Sequence, residues 1–201
     1  MSMNRKEEIV LVTLELAAEK GLANVSMSMI ADKIGIKKPS LYKHFASKEE
    51  IVEAMYEYLR RQAKEKANIK PIDYSTFFEG KTVYEILQSV VRGYIQMKHQ
   101  EDMLNFYKVI YAERSLEPMA AKIVAEETKK MMIATKQLFY AMEVHKLLHF
   151  QNPDMSAVSF AMTIHGLMDY ELDQSNSECR DEADRKLLDE YLKWFCEENA
   201  V

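Results

Sequence analysis

The sequence predicts an all-α protein, and three features of its 201 residues lead to that fold class. Only five glycines and four prolines interrupt the chain. Between them lie stretches rich in Ala, Leu, Met, Glu and Lys, the residues that lose little free energy on entering a helix. The alternation of apolar and polar residues that is typical of a strand is missing. We therefore expect about nine helices.

The first three helices have recognisable ends. The first is predicted over residues 5–20, because Gly21 is a good C-terminal stop. The second begins after Ser26, a plausible N-cap, and stops at Gly35. The third is brief, and Pro39 suits its first turn, where a missing N–H costs nothing.

The fourth helix opens with "SKEE", in which Ser47 as N-cap and Glu50 three residues later can form a capping box. It is expected to run to about Asn68. The stretch 68–81 has no clean period and is the best candidate for a linker. The later helices are predicted from their periodicity and end signals at residues 82–99, 102–115, 117–150, 154–173 and 184–198.

Charge is distributed unevenly along the chain. Residues 1–70 carry 13 Lys and Arg against 10 Asp and Glu, a net charge of +3, whereas residues 71–201 carry 14 against 22, a net charge of −8. No acidic residue lies between Lys33 and Glu49. A net charge of −5 argues against a protein that coats nucleic acid along its whole surface. Any basic face must therefore lie in the N-terminal third.

The composition also indicates the compartment. Cys179 and Cys196 are too few for a disulfide framework, and the first twenty residues mix charges with apolar residues at helical spacing instead of forming an export signal. No window reaches the ~18 uninterrupted apolar residues of a membrane span. We expect a cytoplasmic protein that does not bind a membrane.

Two short helices joined by a glycine-containing turn over residues 26–45 are typical of a helix-turn-helix. In that motif the first helix holds the second at the angle that places its N-terminal residues in the major groove of DNA. The apolar seam that would fix this angle consists of Met29, Ile30, Ile34, Ile36 and Leu41.

The segment from Lys6 to Ile51 resembles the DNA-binding domain of the TetR family of bacterial transcription regulators. The matching features are "EEI" at 7–9, "AEKG" at 18–21, "IA" at 30–31, Gly35, "LYKHF" at 41–45 and "SKEE" at 47–50. The resemblance implies a three-helix DNA-binding domain at 1–50, joined through helix 4 to a larger helical effector-binding and dimerisation domain at 51–201. It also implies a homodimer and double-stranded operator DNA as partners.

The roles of the family's DNA-contacting positions carry over to ten residues. They flank or form the recognition helix and the starts of helices 2 and 4, where free backbone N–H groups favour a phosphate. The predicted DNA-contacting residues are Ser26, Ser28, Lys37, Lys38, Pro39, Ser40, Tyr42, Lys43, His44 and Lys48. A solvated charged face is the alternative for the lysines, and the missing acidic residues argue against it.

Residues 82–201 carry no catalytic signature: no phosphate loop, no H-E-x-x-H and no C-x-x-C pair. His145 and His149 are four apart and would share a helix face, but two histidines without further ligands are weak support for a metal site. We therefore predict no metal, no cofactor and no enzyme activity. A helical enzyme whose N-terminal helices are only a scaffold remains the alternative of a different class.

Large soft side chains are abundant in this part of the chain, and a core rich in Met and aromatic residues can enclose an apolar ligand. The resemblance implies an effector pocket, for which the candidates are Tyr94, Met97, Phe106, Tyr107, Tyr111, Met162 and His165. A small-residue row and large anchors on the last two helices suggest the dimer interface: Ser159, Thr163, Gly166, Tyr191, Trp194 and Phe195. We predict a repressor released by a small apolar or amphipathic ligand. The alternative is control by a protein partner without a small-molecule effector.

Overall fold

The computed structural model describes residues 4–66, 72–98, 101–176 and 186–201, with the backbone alone at 59, 62–66, 97–98, 101–103, 172 and 175–176. Within these ranges all regular structure is helical, which confirms the all-α prediction. In the described part of the chain, a 3₁₀ turn at Leu22–Asn24 accompanies ten α-helices. These are α1 (Arg5–Lys20), α2 (Met27–Ile34), α3 (Lys38–Tyr42), α4 (Lys48–Lys66), α5 (Tyr74–Phe78), α6 (Val83–Lys98), α7 (Glu101–Glu113), α8 (Pro118–Val144), α9 (Pro153–Asn176) and α10 (Leu187–Glu198).

Two of these elements differ from the sequence prediction. Helix α5 lies in the stretch expected to be a linker, and Asp73 caps it by accepting from the backbone N–H of Ser75 at 3.1 Å. Helix α8 ends at Val144 instead of near residue 150, because Lys146 takes a left-handed conformation with φ of 56°. The backbone N–H of Leu147 then reaches back to the Met142 carbonyl at 2.9 Å, which closes the last turn.

The chain divides into two compact units, of which the first comprises Met1–Ile69 and Lys98–Glu127. Helix α1 lies at its centre and contacts α2, α4 and α7. The apolar side chains that meet there are almost fully shielded from water, which fixes the orientation of α2 and α3. Those with no exposed surface are Ile9, Ile30, Leu41, Ile51 and Met55.

The second unit comprises Lys70–Met97 and Thr128–Val201. Phe139 is fully buried at its centre, and its ring stacks on Phe150 with centroids 4.6 Å apart. Phe160 and Phe195 lie 5.3 Å and 5.5 Å from the same ring. Aromatic contacts of this kind add stabilisation beyond that of the buried area. The core of the second unit is therefore built around one aromatic cluster from α8, α9, α10 and the turn after α8.

The two longest helices have lengths that would reach across a bilayer, with 27 residues in α8 and 24 in α9. Charged side chains interrupt both, for example Lys129 and Lys130 in α8 and Asp169 in α9. Among the described residues, no helix combines the length and the apolar character that crossing a membrane requires.

Candidate functional site

The helix-turn-helix is closed at both ends of α2 by side-chain and backbone caps. Ser26 accepts a hydrogen bond from the backbone N–H of Met29 at 3.3 Å, as expected for an N-cap. Gly35 ends the helix with φ of 76° and ψ of 30°, the left-handed conformation that glycine adopts most readily. The backbone N–H of Ile36 donates to the Ala31 carbonyl at 3.0 Å. Together these bonds set the turn that aims α3.

Substituting Gly35→Ala is expected to lower the free energy of unfolding by about 1–2 kcal/mol and to weaken DNA binding, because an alanine in a left-handed conformation is strained. Open space surrounds the position where a Cβ would lie, so the cost comes from the backbone and not from a clash. Urea unfolding measures this change in the free energy of unfolding. The matched control is Gly93→Ala within α6, which also has open space and should raise stability by about 0.5–1 kcal/mol. Equal effects of the two substitutions would contradict this role for Gly35.

Helix α3 presents a basic and polar surface because its apolar residues point inward. Leu41 is fully buried and Phe45 is 4% exposed, which fixes the segment against α1 and α2. On the opposite side Lys37, Lys38, Pro39, Tyr42 and Lys43 are exposed, and Ser40 and His44 are half-buried. No ion pair joins the three lysines to any acidic side chain in the described part of the chain. Their charges therefore face solvent without compensation.

A neighbouring lysine on α2 behaves differently. The ammonium of Lys33 lies 2.7 Å from Glu15 and 3.9 Å from Glu19, both on α1. Its hydrogen bond to Glu15 raises the pKa of Lys33 above its ordinary value. Lys33 is thus a paired surface charge that ties α2 to α1, and it provides a natural comparison for the unpaired lysines of α3.

The start of α4 lies beside this surface. Ser47 accepts from the backbone N–H of Glu50 at 3.2 Å, as the capping box predicts, while the Glu50 carboxylate accepts from Ala46, one residue earlier than expected, at 2.6 Å. Hydrogen bonds from its own backbone N–H and from the Ser47 hydroxyl lower the pKa of Glu49 in the same turn. The ammonium of Lys48 donates to the carbonyl of Leu22 at 2.7 Å.

One basic residue beside α3 was not among the predicted contacts. The ammonium of Lys6, in the first turn of α1, lies 5.3 Å from the centre of the Phe45 ring. Adjacent Arg5 pairs with Glu8 at 2.6 Å, whereas no ion pair holds Lys6 within the described residues. The sequence does not indicate that Lys6 lies close to Phe45, because the two residues are far apart along the chain. The folded structure brings them together. Ser26 and Ser28, which were predicted, are both exposed at the start of α2.

The predicted effector residues fall in both compact units. Phe106 is 2% exposed in the core of the first unit, and its ring lies 5.0 Å from that of Tyr107, which in turn lies 6.0 Å from Tyr111. In the second unit, the side chain of Met162 is 49% exposed on α9. Tyr94 and His165 are half-buried there, and the side chain of Met97 lies outside the described residues. The effector pocket remains a prediction.

The predicted dimer residues divide into a surface group and a core group. Ser159 and Gly166 are exposed on α9, Thr163 is half-buried between them, and Trp194 of α10 is 53% exposed. Half-buried Tyr191 lies 5.8 Å from Trp194 between ring centres. Phe195 belongs to the aromatic cluster of the second unit and is 5% exposed. The exposed members lie on α9 and α10, and α9 carries further exposed apolar residues, namely Met155, Met162 and Tyr170.

Two family models and one group of relatives are similar to this chain. The family model of bacterial regulatory proteins of the tetR family matches residues 9–55. The model of the AefR-like transcriptional repressor C-terminal domain matches residues 85–197, more than half of the chain. The biofilm operon icaADBC HTH-type negative transcriptional regulator IcaR of Staphylococcus aureus is 31% identical over 138 residues, which span 63% of this chain and 73% of IcaR.

Two solved structures have the same fold. A TetR-family regulator from Mesorhizobium loti superimposes with a TM-score of 0.65 at 19% identity, covering 99% of this chain and 100% of that chain. A transcriptional regulator from Saccharomonospora viridis in complex with choline gives a TM-score of 0.67 at 17% identity, covering 94% and 95%. At these identities the likeness concerns the fold alone. The two family models and the similarity to IcaR show that the chain belongs to the TetR family of DNA-binding transcription regulators, and not to a family of enzymes.

Proposed function

We propose that this protein is a cytoplasmic, homodimeric repressor that binds operator DNA through α3 and releases it when a small apolar or amphipathic ligand binds. The observation that carries the proposal is the exposed, unpaired basic surface of α3 in a protein whose net charge is −5. Negative regulation by the similar protein IcaR supports repression in place of activation.

Contacts with DNA are of two kinds: phosphate contacts, which position the protein, and base contacts, which recognise the sequence. Lysine side chains and helix N-termini position a protein on phosphates, whereas base edges are read by polar and apolar groups in the major groove. We propose that the residues in contact with DNA phosphates are Lys6, Lys37, Lys38, Lys43, Lys48, Ser26 and Ser28. Tyr42, Pro39, Ser40 and His44 then lie at the groove, where the Tyr42 ring can pack on a thymine methyl group or its hydroxyl can bond a phosphate.

Selection of bound fragments from a genomic DNA pool tests the proposal most directly. A two-fold dimer reads two half-sites about 34 Å apart, one turn of DNA, so the recovered fragments should share a palindrome with that spacing. Recovery of fragments without a common sequence would contradict operator recognition. The genes beside the recovered sites would also indicate the chemistry of the ligand.

We propose that two protomers meet through α9 and α10, with Trp194 and Met162 as apolar anchors and Gly166 permitting close approach. Replacing Trp194→Glu should convert the dimer to monomers at micromolar concentration, because the carboxylate would be buried at the interface without a partner. Sedimentation measures the change. Leu116→Glu is the control, since Leu116 is 81% exposed in the first unit and outside the proposed interface. A Trp194→Glu protein that stays dimeric would argue for a different interface.

Ligand control requires a large difference in affinity between two states. To move the population of released protein from 1% to 99%, the ligand must prefer that state by ~5.5 kcal/mol. A well-enclosed site meets this demand, and the choline complex of the Saccharomonospora viridis structure illustrates a small molecule held by this fold. A thermal-shift screen combined with an operator-binding assay tests ligand control, because an effector should both stabilise the protein and weaken DNA binding.

Control by a protein partner is the second candidate. The distribution of the predicted effector residues between two units favours it, since Phe106, Tyr107 and Tyr111 pack in the first unit and Tyr94, Met162 and His165 lie in the second. In that case no compound in the screen changes operator affinity. A macromolecule retained on the immobilised full chain, and displaced together with DNA, would then identify the regulator.

A further inference from the structure

Two polar atoms on one face of α4 are buried and have no hydrogen-bond partner among the described residues. The Tyr56 side chain is 3% exposed, and its hydroxyl makes no hydrogen bond with any described residue. One turn further along α4, the Nε of Arg60 is also buried and unbonded. Residues four apart lie side by side on a helix, so the two donors face the same region. Buried donors without acceptors are rare in folded proteins, and each calls for an explanation.

The region that these donors face lies within the first compact unit, between α4, α7 and the start of α8. Apolar side chains of α7 and α8 belong to the same buried cluster as Tyr56, namely Phe106, Val109, Ile110, Ala120 and Ile123. The terminal nitrogen of Arg60 lies 3.3 Å from the Glu126 carboxylate. A largely apolar wall with a few convergent polar groups is the usual composition of a small-molecule site.

The charges around Tyr56 limit which group it can bind. Burial, and then the nearby carboxylates of Glu113 and Glu117, raise the pKa of Tyr56 to about 12. The hydroxyl therefore keeps its proton and acts as a donor. An anionic ligand would be repelled by those two carboxylates. Arg60 would not offset this repulsion, because its charge is already paired with Glu126. The acceptor that suits this position is an uncharged oxygen.

We infer that Tyr56, with Arg60 beside it, is the polar end of a ligand site that takes an apolar, uncharged molecule bearing a carbonyl or ether oxygen. This inference rests on the ligand-responsive function proposed above and names the chemistry of its effector. Helix α4 also carries Ile51 and Met55, both fully buried against the helix-turn-helix, and Lys48, which bonds the Leu22 carbonyl. A ligand that moves Tyr56 therefore acts on the helix that supports the DNA-binding surface.

Three matched probes test the inference on the 201-residue chain. Benzophenone offers a carbonyl, diphenylmethane has nearly the same shape without the oxygen, and 4-benzoylbenzoate adds a negative charge. Affinities from thermal shifts are compared between the wild type, Tyr56→Phe and the control Tyr140→Phe, whose tyrosine is 47% exposed in the second unit. Irradiation of bound benzophenone should label peptides of α4, α7 or α8.

The ratio of benzophenone to diphenylmethane affinity should fall roughly threefold to tenfold in Tyr56→Phe, as expected for one lost hydrogen bond, and stay unchanged in Tyr140→Phe. The charged probe should bind the wild type more weakly than benzophenone. Without probe, Tyr56→Phe should melt at the same temperature or higher, because it loses no hydrogen bond. An equal ratio in wild type and Tyr56→Phe, or no binding of any probe to either protein, would overturn the inference.

Operator binding measured in parallel separates this inference from the proposed function. If the carbonyl probe binds in a Tyr56-dependent way but leaves operator affinity unchanged, the site is supported and ligand-controlled release is contradicted. If other compounds release the operator equally from wild type and Tyr56→Phe, release is supported and the Tyr56 site is overturned.

Discussion

Replacing Tyr42→Ala and Lys43→Ala together is expected to weaken operator binding by roughly 100-fold to 1,000-fold. Tyr42 ends α3 and Lys43 follows it directly. Both side chains are exposed, and neither belongs to the buried cluster that holds α3 against α1. The loss should therefore come from contacts with DNA and not from unfolding. In the proposed dimer each substitution would act twice. Fluorescence anisotropy with a labelled operator measures the effect, and circular dichroism should show unchanged helical content.

The dependence of binding on salt distinguishes phosphate contacts from a general loss of structure. Each neutralised phosphate contributes about −0.9 to the slope of log affinity against log salt, so losing Lys43 from both protomers should make the slope shallower by about 2. Lys33→Ala is the matched control, because its ammonium is paired with Glu15 on α1. Retained affinity for every DNA tested in the double substitution would contradict the assignment of Tyr42 and Lys43 to the DNA interface.

Substituting Phe139→Ala is expected to lower the free energy of unfolding by about 3–5 kcal/mol, the largest effect on stability that we predict for one residue. The side chain is fully buried, and its ring contacts Phe150, Phe160 and Phe195, so its removal leaves a cavity that several rigid rings cannot fill. Urea unfolding at a fixed protein concentration measures the loss, because the proposed dimer would make apparent stability depend on concentration.

The next residue along α8 supplies the control for this experiment. Tyr140 is 47% exposed, and its hydroxyl donates to the Asp154 carboxylate at 3.2 Å. Tyr140→Ala should change the free energy of unfolding by no more than about 1 kcal/mol, since little buried area is lost. A comparable loss from the two substitutions would mean that the aromatic cluster is not the source of stability in the second unit.

Local chemistry explains why the N-terminal helices were predictable. The bounds of α1 agree with the prediction at both ends, because Asn4 caps its start and Gly21 adopts φ of 79° at its end. The same is true of α2, whose ends depend on Ser26 and Gly35. Such signals act over a few residues, so they can be found in the sequence before the fold is known.

The end of α8 and the short helix α5 were not predictable in the same way. Apolar residues continue past Val144 through Leu147, Leu148 and Phe150, so the periodicity predicts a longer helix. Tertiary contacts end the helix earlier than the periodicity predicts. Leu148 and Phe150 are 2% and 3% exposed in the core of the second unit, and the chain enters this core after the turn at Lys146. Helix α5 has five residues, too few for a periodic pattern to develop.

The candidate DNA-binding surface was predictable only in part. Lys37, Lys38 and Lys43 are exposed, as the gap in acidic residues suggests. The position of Lys6 beside Phe45 depends on a contact between segments almost forty residues apart, which no local pattern encodes. The unbonded hydroxyl of Tyr56 is also invisible in the sequence, because a tyrosine at helical spacing looks like ordinary core.

The bond from Lys48 to the Leu22 carbonyl joins the start of α4 to the turn before α2. An ammonium has three N–H groups, and Lys48 directs one to Leu22 at 2.7 Å and another toward Ala23 at 3.4 Å. In the complex with DNA proposed above, the third N–H group would donate to a phosphate. The strength of that phosphate contact would then depend on the position of α4, because the same ammonium is held by the turn before α2.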